Sequence, residues 1–337
     1  MMDFPPDKTL ELPSNISATY LSEGAANVVY SINVPPQSST PEHGDIKEKG
    51  EDTTPNPWHG KLLRFRKDLP TTTPTLDAHI AFRTSIAPLF PAEDLIDIRL
   101  VSLGSSHLIQ TLNATLRSAE QPSSSTPRPV QRHGVYLADD QHALLITDMS
   151  PPTSSTLIQF KPKWLAPSPS APPNSKRCRT CALHAKRGIS KPSFCPLDLI
   201  SSSPADVRRA AALLLGLPAS AATAATASDS TSTQNCSSAA QNGSAKTATG
   251  SQNGAQNGTT TATPKELQTL TRLTNWALTS PLLRHLRHIQ TTFDPLGVSH
   301  ILRDSTSPSS SSLKGLQIAM TLRDVTVFLV LPDGEGC

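Results

Sequence analysis

The sequence predicts an α+β fold, on three observations. Short alternating or β-branched apolar runs dominate the first half, helical apolar spacing dominates residues 204–217 and 265–294, and long polar tracts separate the two kinds of run. At 337 residues the chain has room for roughly two domains, expected at 1–150 and 151–337. Its 31 prolines, 36% hydrophobic content and Ser/Thr/Ala tracts confine the packed core to a little over half of the residues.

Residues 20–34, YLSEGAANVVYSINV, give an apolar entry, a turn of small residues at Gly24, Ala25, Ala26 and Asn27, and then alternation: strand, tight turn, strand. Amides in such a turn can approach an anion because the side chains leave space, although an ordinary hairpin turn reads the same way. Residues 35–57 are a polar, proline-rich insert. Residues 60–69, GKLLRFRKDL, set Leu63 and Phe65 on one strand face and Arg64 and Arg66 on the other. Residues 90–103 suggest a short helix with acidic residues in its first turn, leading into a strand, and 114–132 a Ser/Pro-rich linker.

Residues 135–151 and 157–165 suggest two more strands, the second placing Lys161 and Lys163 on one face. Residues 204–217 form a helix opened by Pro and Asp, 218–264 a low-complexity insert, and 265–294 a helical stretch closed by DPLG. Residues 316–331, LQIAMTLRDVTVFLVL, read as two strand-like arms around Arg323 and Asp324.

The net charge of +3 argues for neither nucleic acid nor membrane. Its distribution is more informative: residues 161–187 hold Lys161, Lys163, Lys176, Arg177, Arg179, Lys186 and Arg187 without an acidic residue, a local anion-attracting field or a solvated basic loop. No secretory leader and no apolar run of about 18 residues is visible, so an intracellular protein, nuclear or cytoplasmic, is expected. Cys178, Cys181, His184 and Cys195 are spaced so that zinc could be held, with reduced cysteines packed in a loop as the alternative. Stacking aromatics are scarce around them, with Trp164 and Phe194 alone, against a nucleic-acid module.

Taken in order, the blocks EGAANVVYS, GKLLRFRK, IQFKPKW, CRTCALH, FCPLDLIS, LLRHLRHIQTTFDPLGV and IAMTLRDVTVFL resemble the inositol-pentakisphosphate 2-kinases, fungal members above all. The resemblance implies a two-lobed fold distantly similar to protein kinases, and phosphorylation of the 2-hydroxyl of inositol pentakisphosphate to the hexakisphosphate with ATP and Mg2+. It implies nucleotide contacts from Glu23, Gly24, Ala25, Ala26 and Asn27, from Arg64 on the ATP phosphates, and from Asp148 near the adenine. Lys161, Lys163, Arg179 and Arg187 would grip the inositol phosphates, and Asp324 would be the catalytic carboxylate. The expected partners are small molecules, not nucleic acid or membrane, and the expected state is a monomer.

The departures carry expectations of their own. Gln159 stands where the family has Glu before Lys-Pro-Lys, and Leu183 where it has His, with His184 one place on. No Asp-Leu-x-Leu-Lys follows Asp324, so the family's magnesium-holding Asp is expected to be missing and turnover impaired, as by truncation. The alternative is a non-catalytic inositol-polyphosphate-binding protein.

Overall fold

The computed structural model describes residues 8–35, 56–104, 107–151, 154–190, 192–223, 262–297 and 310–332. It divides into two compact units, Met1–Asp148 and Met149–Cys337. Helices and strands mix in an α+β arrangement. No described helix is long and apolar enough to cross a membrane.

The first unit is built on a six-stranded sheet of β1 (Leu10–Glu11), β2 (Ser17–Glu23), β3 (Asn27–Asn33), β4 (Lys61–Arg66), β5 (Ile98–Ser102) and β6 (His142–Thr147), in the order β1-β5-β6-β4-β3-β2. Only β1 and β5 run parallel; the other neighbours are antiparallel, as short connections favour. Alternation holds on β4, where Leu63 and Phe65 are buried against Tyr30 and Leu145 while Arg64 and Arg66 face the other way. Helix α1 (Thr75–Ala81) precedes β5, and α2 (His107–Ala119) follows it.

Helix α2 corrects part of the linker expected at 114–132. Ile109, Leu112 and Leu116 recur at helical spacing and close the core over the sheet, so the polar residues between them belong to a wet helix face. The short helix expected in 90–103 is a single 3-10 turn, Ala92–Asp94, before β5.

In the second unit β7 (Ser155–Phe160) pairs antiparallel with β8 (Val327–Pro332). Around them lie α3 (Arg179–Lys186), α4 (Pro196–Leu199), α5 (Pro204–Leu214), α6 (Ala219–Thr223), α7 (Pro264–Thr279), α8 (Pro281–Phe293) and α9 (Ser310–Asp324). The helical stretch at 265–294 is two helices, broken at Ser280, whose hydroxyl accepts from the Leu283 amide and caps α8. A capping box of Thr263 and Glu266 starts α7. The low-complexity insert is thus trimmed at both ends, by α6 and by this cap, and residues 224–261 lie outside the described residues, as do 36–55 of the first insert.

Two strand expectations fail. Residues 316–324 are helical: Ala319 and Leu322 are buried at a spacing of three, and only the β-branched run after Asp324 turns extended. Strand β7 ends at Phe160, because Pro162 cannot donate to a ladder, so Lys161 and Lys163 lie beyond it rather than on one strand face.

Candidate functional site

In the first unit, Gly24 donates its amide to Asn27 O at 2.9 Å and closes the turn between β2 and β3. A Cβ at Gly24 would meet nothing within 4 Å, so the turn is open to an approaching group. Glu23, expected on the nucleotide, points elsewhere. Its carboxylate accepts from Lys67 Nζ at 2.5 Å and from Arg128 Nε and Nη2 at 2.8 and 2.9 Å, and all three side chains are 1% exposed. Arg128 also bonds Glu120 at 2.5 Å and the Val135 carbonyl at 2.6 Å, while Lys67 bonds the Gly24 carbonyl at 2.8 Å. Burial pushes the Glu23 carboxyl up, but the bonds from Arg128 and Lys67 outweigh it and hold the group below its ordinary value. Sequence reading missed this network because Arg128 lies in a stretch that looks like linker.

Arg64, expected on phosphate, is placed on β4 with its Nε buried and without a hydrogen-bond partner. Arg99 Nε on β5 and His79 Nδ1 on α1 share that condition. Burial, then the charges of Arg83, Arg64 and Arg99, depress the His79 pKa. Orphaned polar atoms beside like charges are costly unless a partner completes them. Asp148, at the end of the unit, donates its amide to Gly60 O at 2.9 Å.

In the second unit, Lys163 and Asp324 meet at 3.0 Å across the end of α9. Arg323 donates to the same carboxylate at 2.5 and 3.1 Å. Asp324 is 39% exposed, so solvent and ligand can reach it. Burial raises its pKa, yet the bonds from Arg323 and Lys163 leave it below the usual carboxylate value. Lys163 adopts a left-handed φ of 62°, unusual for a residue with a Cβ. Buried Gln290 of α8 holds this backbone: its Nε2 donates to Lys163 O at 2.7 Å, and its Oε1 accepts from Leu165 N at 2.9 Å.

Arg179, the first residue of α3, stands 4.0 Å over the Trp164 ring and bonds buried Asp294 at 2.7 Å. Arg323 lies 5.8 Å from the same ring. Asp294 is fixed in turn by the Gly297 amide at 3.0 Å. Lys163, Arg179 and Asp324 are therefore gathered around Trp164, whereas Lys161 and Arg187 are exposed and nothing described joins them to that group. Gln290 and Asp294 are additions that sequence reading did not single out, and Trp164 and Arg323 were named there without a role in this group. The adjacency of Trp164 to KPK and the DPLG turn were the available signals.

Cys178, Cys181 and Cys195 bring their sulfurs within 4.8 Å of one another. His184 is not in that group; its Nδ1 lies 2.9 Å from Ser193 Oγ. The thiol group is the one set of three or more potential metal ligands among the described residues. Around Asp324 the neighbours are cations rather than further carboxylates, so those residues do not fit magnesium; Asp333 lies outside the described residues.

The sequence model of the inositol-pentakisphosphate 2-kinases matches residues 20–336. A curated inositol-pentakisphosphate 2-kinase from Yarrowia lipolytica is 29% identical over 186 residues, 54% of this chain and 53% of the relative, in keeping with a fungal type. The chain's match thus spans about half the length of that relative. With a match across nearly its whole length, the chain belongs to the inositol-pentakisphosphate 2-kinase family.

Proposed function

We propose that the protein transfers a phosphoryl group from ATP to the 2-hydroxyl of inositol pentakisphosphate, giving the hexakisphosphate, on a two-lobed scaffold distantly similar to protein kinases. The observation that carries this reading is the grouping of Lys163, Arg179 and Asp324 around Trp164, in a chain of this family. A substrate with several phosphates needs several charge-assisted bonds at once, and the two cations supply points of attachment. Arg179 is preorganised by Asp294 and the Trp164 face, so little side-chain entropy is lost when it binds.

ATP supplies the transferable phosphoryl group when bound. Arg64, the open turn at Gly24 and Arg99 of β5 would hold its phosphates. Asp324 acts on the acceptor. Its depressed pKa keeps it ionised at neutral pH, able to accept a hydrogen bond from the attacking hydroxyl and align it. A weak base suffices, because phosphoryl transfer passes through a loose transition state and asks mainly for positioning and charge. Among the described residues the thiol cluster is the one group of three or more potential metal ligands, and the chain's own Lys and Arg residues add positive charge toward the phosphates.

The test is conversion of inositol pentakisphosphate by the purified chain with ATP, resolved by anion-exchange chromatography, for wild type and Asp324→Asn. Product from wild type and a loss of about 10²–10⁴-fold in the variant support the reading. Equal rates in the two proteins, or product bearing the new phosphate elsewhere, would overturn it.

A further inference from the structure

The thiol group of the second unit is not used by the chemistry above, and it is built. Cys178 is the N-cap of α3, and its sulfur accepts from the Cys181 amide at 3.3 Å. Cys195 is the N-cap residue of α4. The starts of two helices therefore converge on one cluster of sulfurs. Three neutral thiols would be a poor reason for this convergence, since S–H is a weak donor and a weak acceptor.

The spacing separates two chemistries. A disulfide needs sulfurs at about 2.05 Å. Four sulfur-type ligands at about 2.3 Å around a tetrahedral zinc ion leave edges of about 3.8 Å between them. Cys178 and Cys195 stand 3.7 Å apart, and Cys181 completes a face with all three sulfurs inside 4.8 Å. No further His, Cys, Asp or Glu ligand atom joins the set among the described residues, which leaves the fourth corner to water. His184 is turned to Ser193, and Asp198 is bonded to Arg209 at 2.8 Å.

We infer that Cys178, Cys181 and Cys195 form a zinc site of three thiolates and a water, which fastens the start of α3 to the start of α4. The ion is a positioning device. Arg179 directly follows a ligand, so the metal fixes the base of the guanidinium that reaches Trp164 and Asp294. Binding transfers no electrons; each thiol gives up its proton to solvent as its sulfur bonds the metal.

The experiment uses the full chain, expressed and purified without chelator, with metals measured by plasma mass spectrometry. One zinc per chain is expected. Exchange with cobalt(II) should give the intense near-ultraviolet band of thiolate-to-cobalt charge transfer. Cys178→Ser, Cys181→Ser and Cys195→Ser should each lose the metal, whereas Cys236→Ser and Cys337→Ser, at positions outside the described residues, should keep it. Because a ligand variant can simply misfold, the wild-type metal content and cobalt spectrum decide independently. A metal-free wild type in which all five thiols titrate, a Cys178–Cys195 disulfide found by mass spectrometry, or full zinc in Cys195→Ser would overturn the site.

Discussion

Asp324 and Lys163 neutralise each other in the free protein, so removing the carboxylate has two opposite effects. Asp324→Asn should lower turnover and at the same time tighten inositol-polyphosphate binding, because Lys163 and Arg323 are released; calorimetry beside the turnover assay separates the two. Arg179→Ala leaves buried Asp294 unpaired and should cost about 3–5 kcal/mol of stability in urea unfolding, as well as weakening binding. Glu23 carries a pH prediction. Its folded pKa lies below the ordinary 4.5, so the unfolded chain binds the proton more readily. Its contribution is complete above the ordinary value and is lost as pH falls through the folded one. Glu23→Gln should therefore be destabilised at neutral pH by about 3–5 kcal/mol, and the gap to wild type should narrow in acid, as read by denaturation from pH 7 to 3. These residues were unevenly legible. Asp324, Lys163, Arg179 and Arg64 stood in short diagnostic blocks, while the Arg128 partner of Glu23 was 105 residues away in sequence and the pairing had no local signature.

At the scale of elements, the turn after α8 sets the site as firmly as any charged residue. Gly297 adopts φ +80°, and a Cβ there would lie 2.5 Å from Ser170 Oγ. Gly297→Ala should strain the backbone, loosen the amide that holds Asp294, and weaken substrate binding more than it slows the chemical step; a rise in KM with kcat little changed is the expected result in steady-state kinetics. Period decided which elements could be read. The turn between β2 and β3 and the Leu63 and Phe65 face of β4 were legible, as was the helix opened by Pro204. The stretch before Asp324 was misread because Leu316, Ile318, Met320 and Leu322 also alternate, and only burial of Ala319 with Leu322 reveals the helical face. Helix α2 was hidden by polar residues on its wet side. The break at Ser280 depends on a cap, which a periodicity count passes over.

Across the whole molecule, the net charge of +3 says little, whereas the acid-free basic stretch of 161–187 is where anion attraction is expected. Binding of inositol polyphosphate should weaken steeply as salt rises from low to physiological strength, and a Lys161→Ala variant should show a shallower slope with little loss of turnover at saturation; titrations at several ionic strengths check both. The order of blocks was enough to place the chain in its family, because each block keeps residues whose chemistry the fold gathers from distant positions. What could not be read was which cations are already engaged. The Lys163 and Asp324 contact has a consequence for selection among anions: the carboxylate is a tethered competitor, held at high effective concentration for as long as the chain is folded. A lone phosphate or sulfate brings a single anionic group against it and gains little. A ligand that engages Arg179 and Lys163 together displaces it, so the contact sets an entry threshold that only multivalent anions pass, and an Asp324→Asn protein should lose that discrimination and take up simple phosphates.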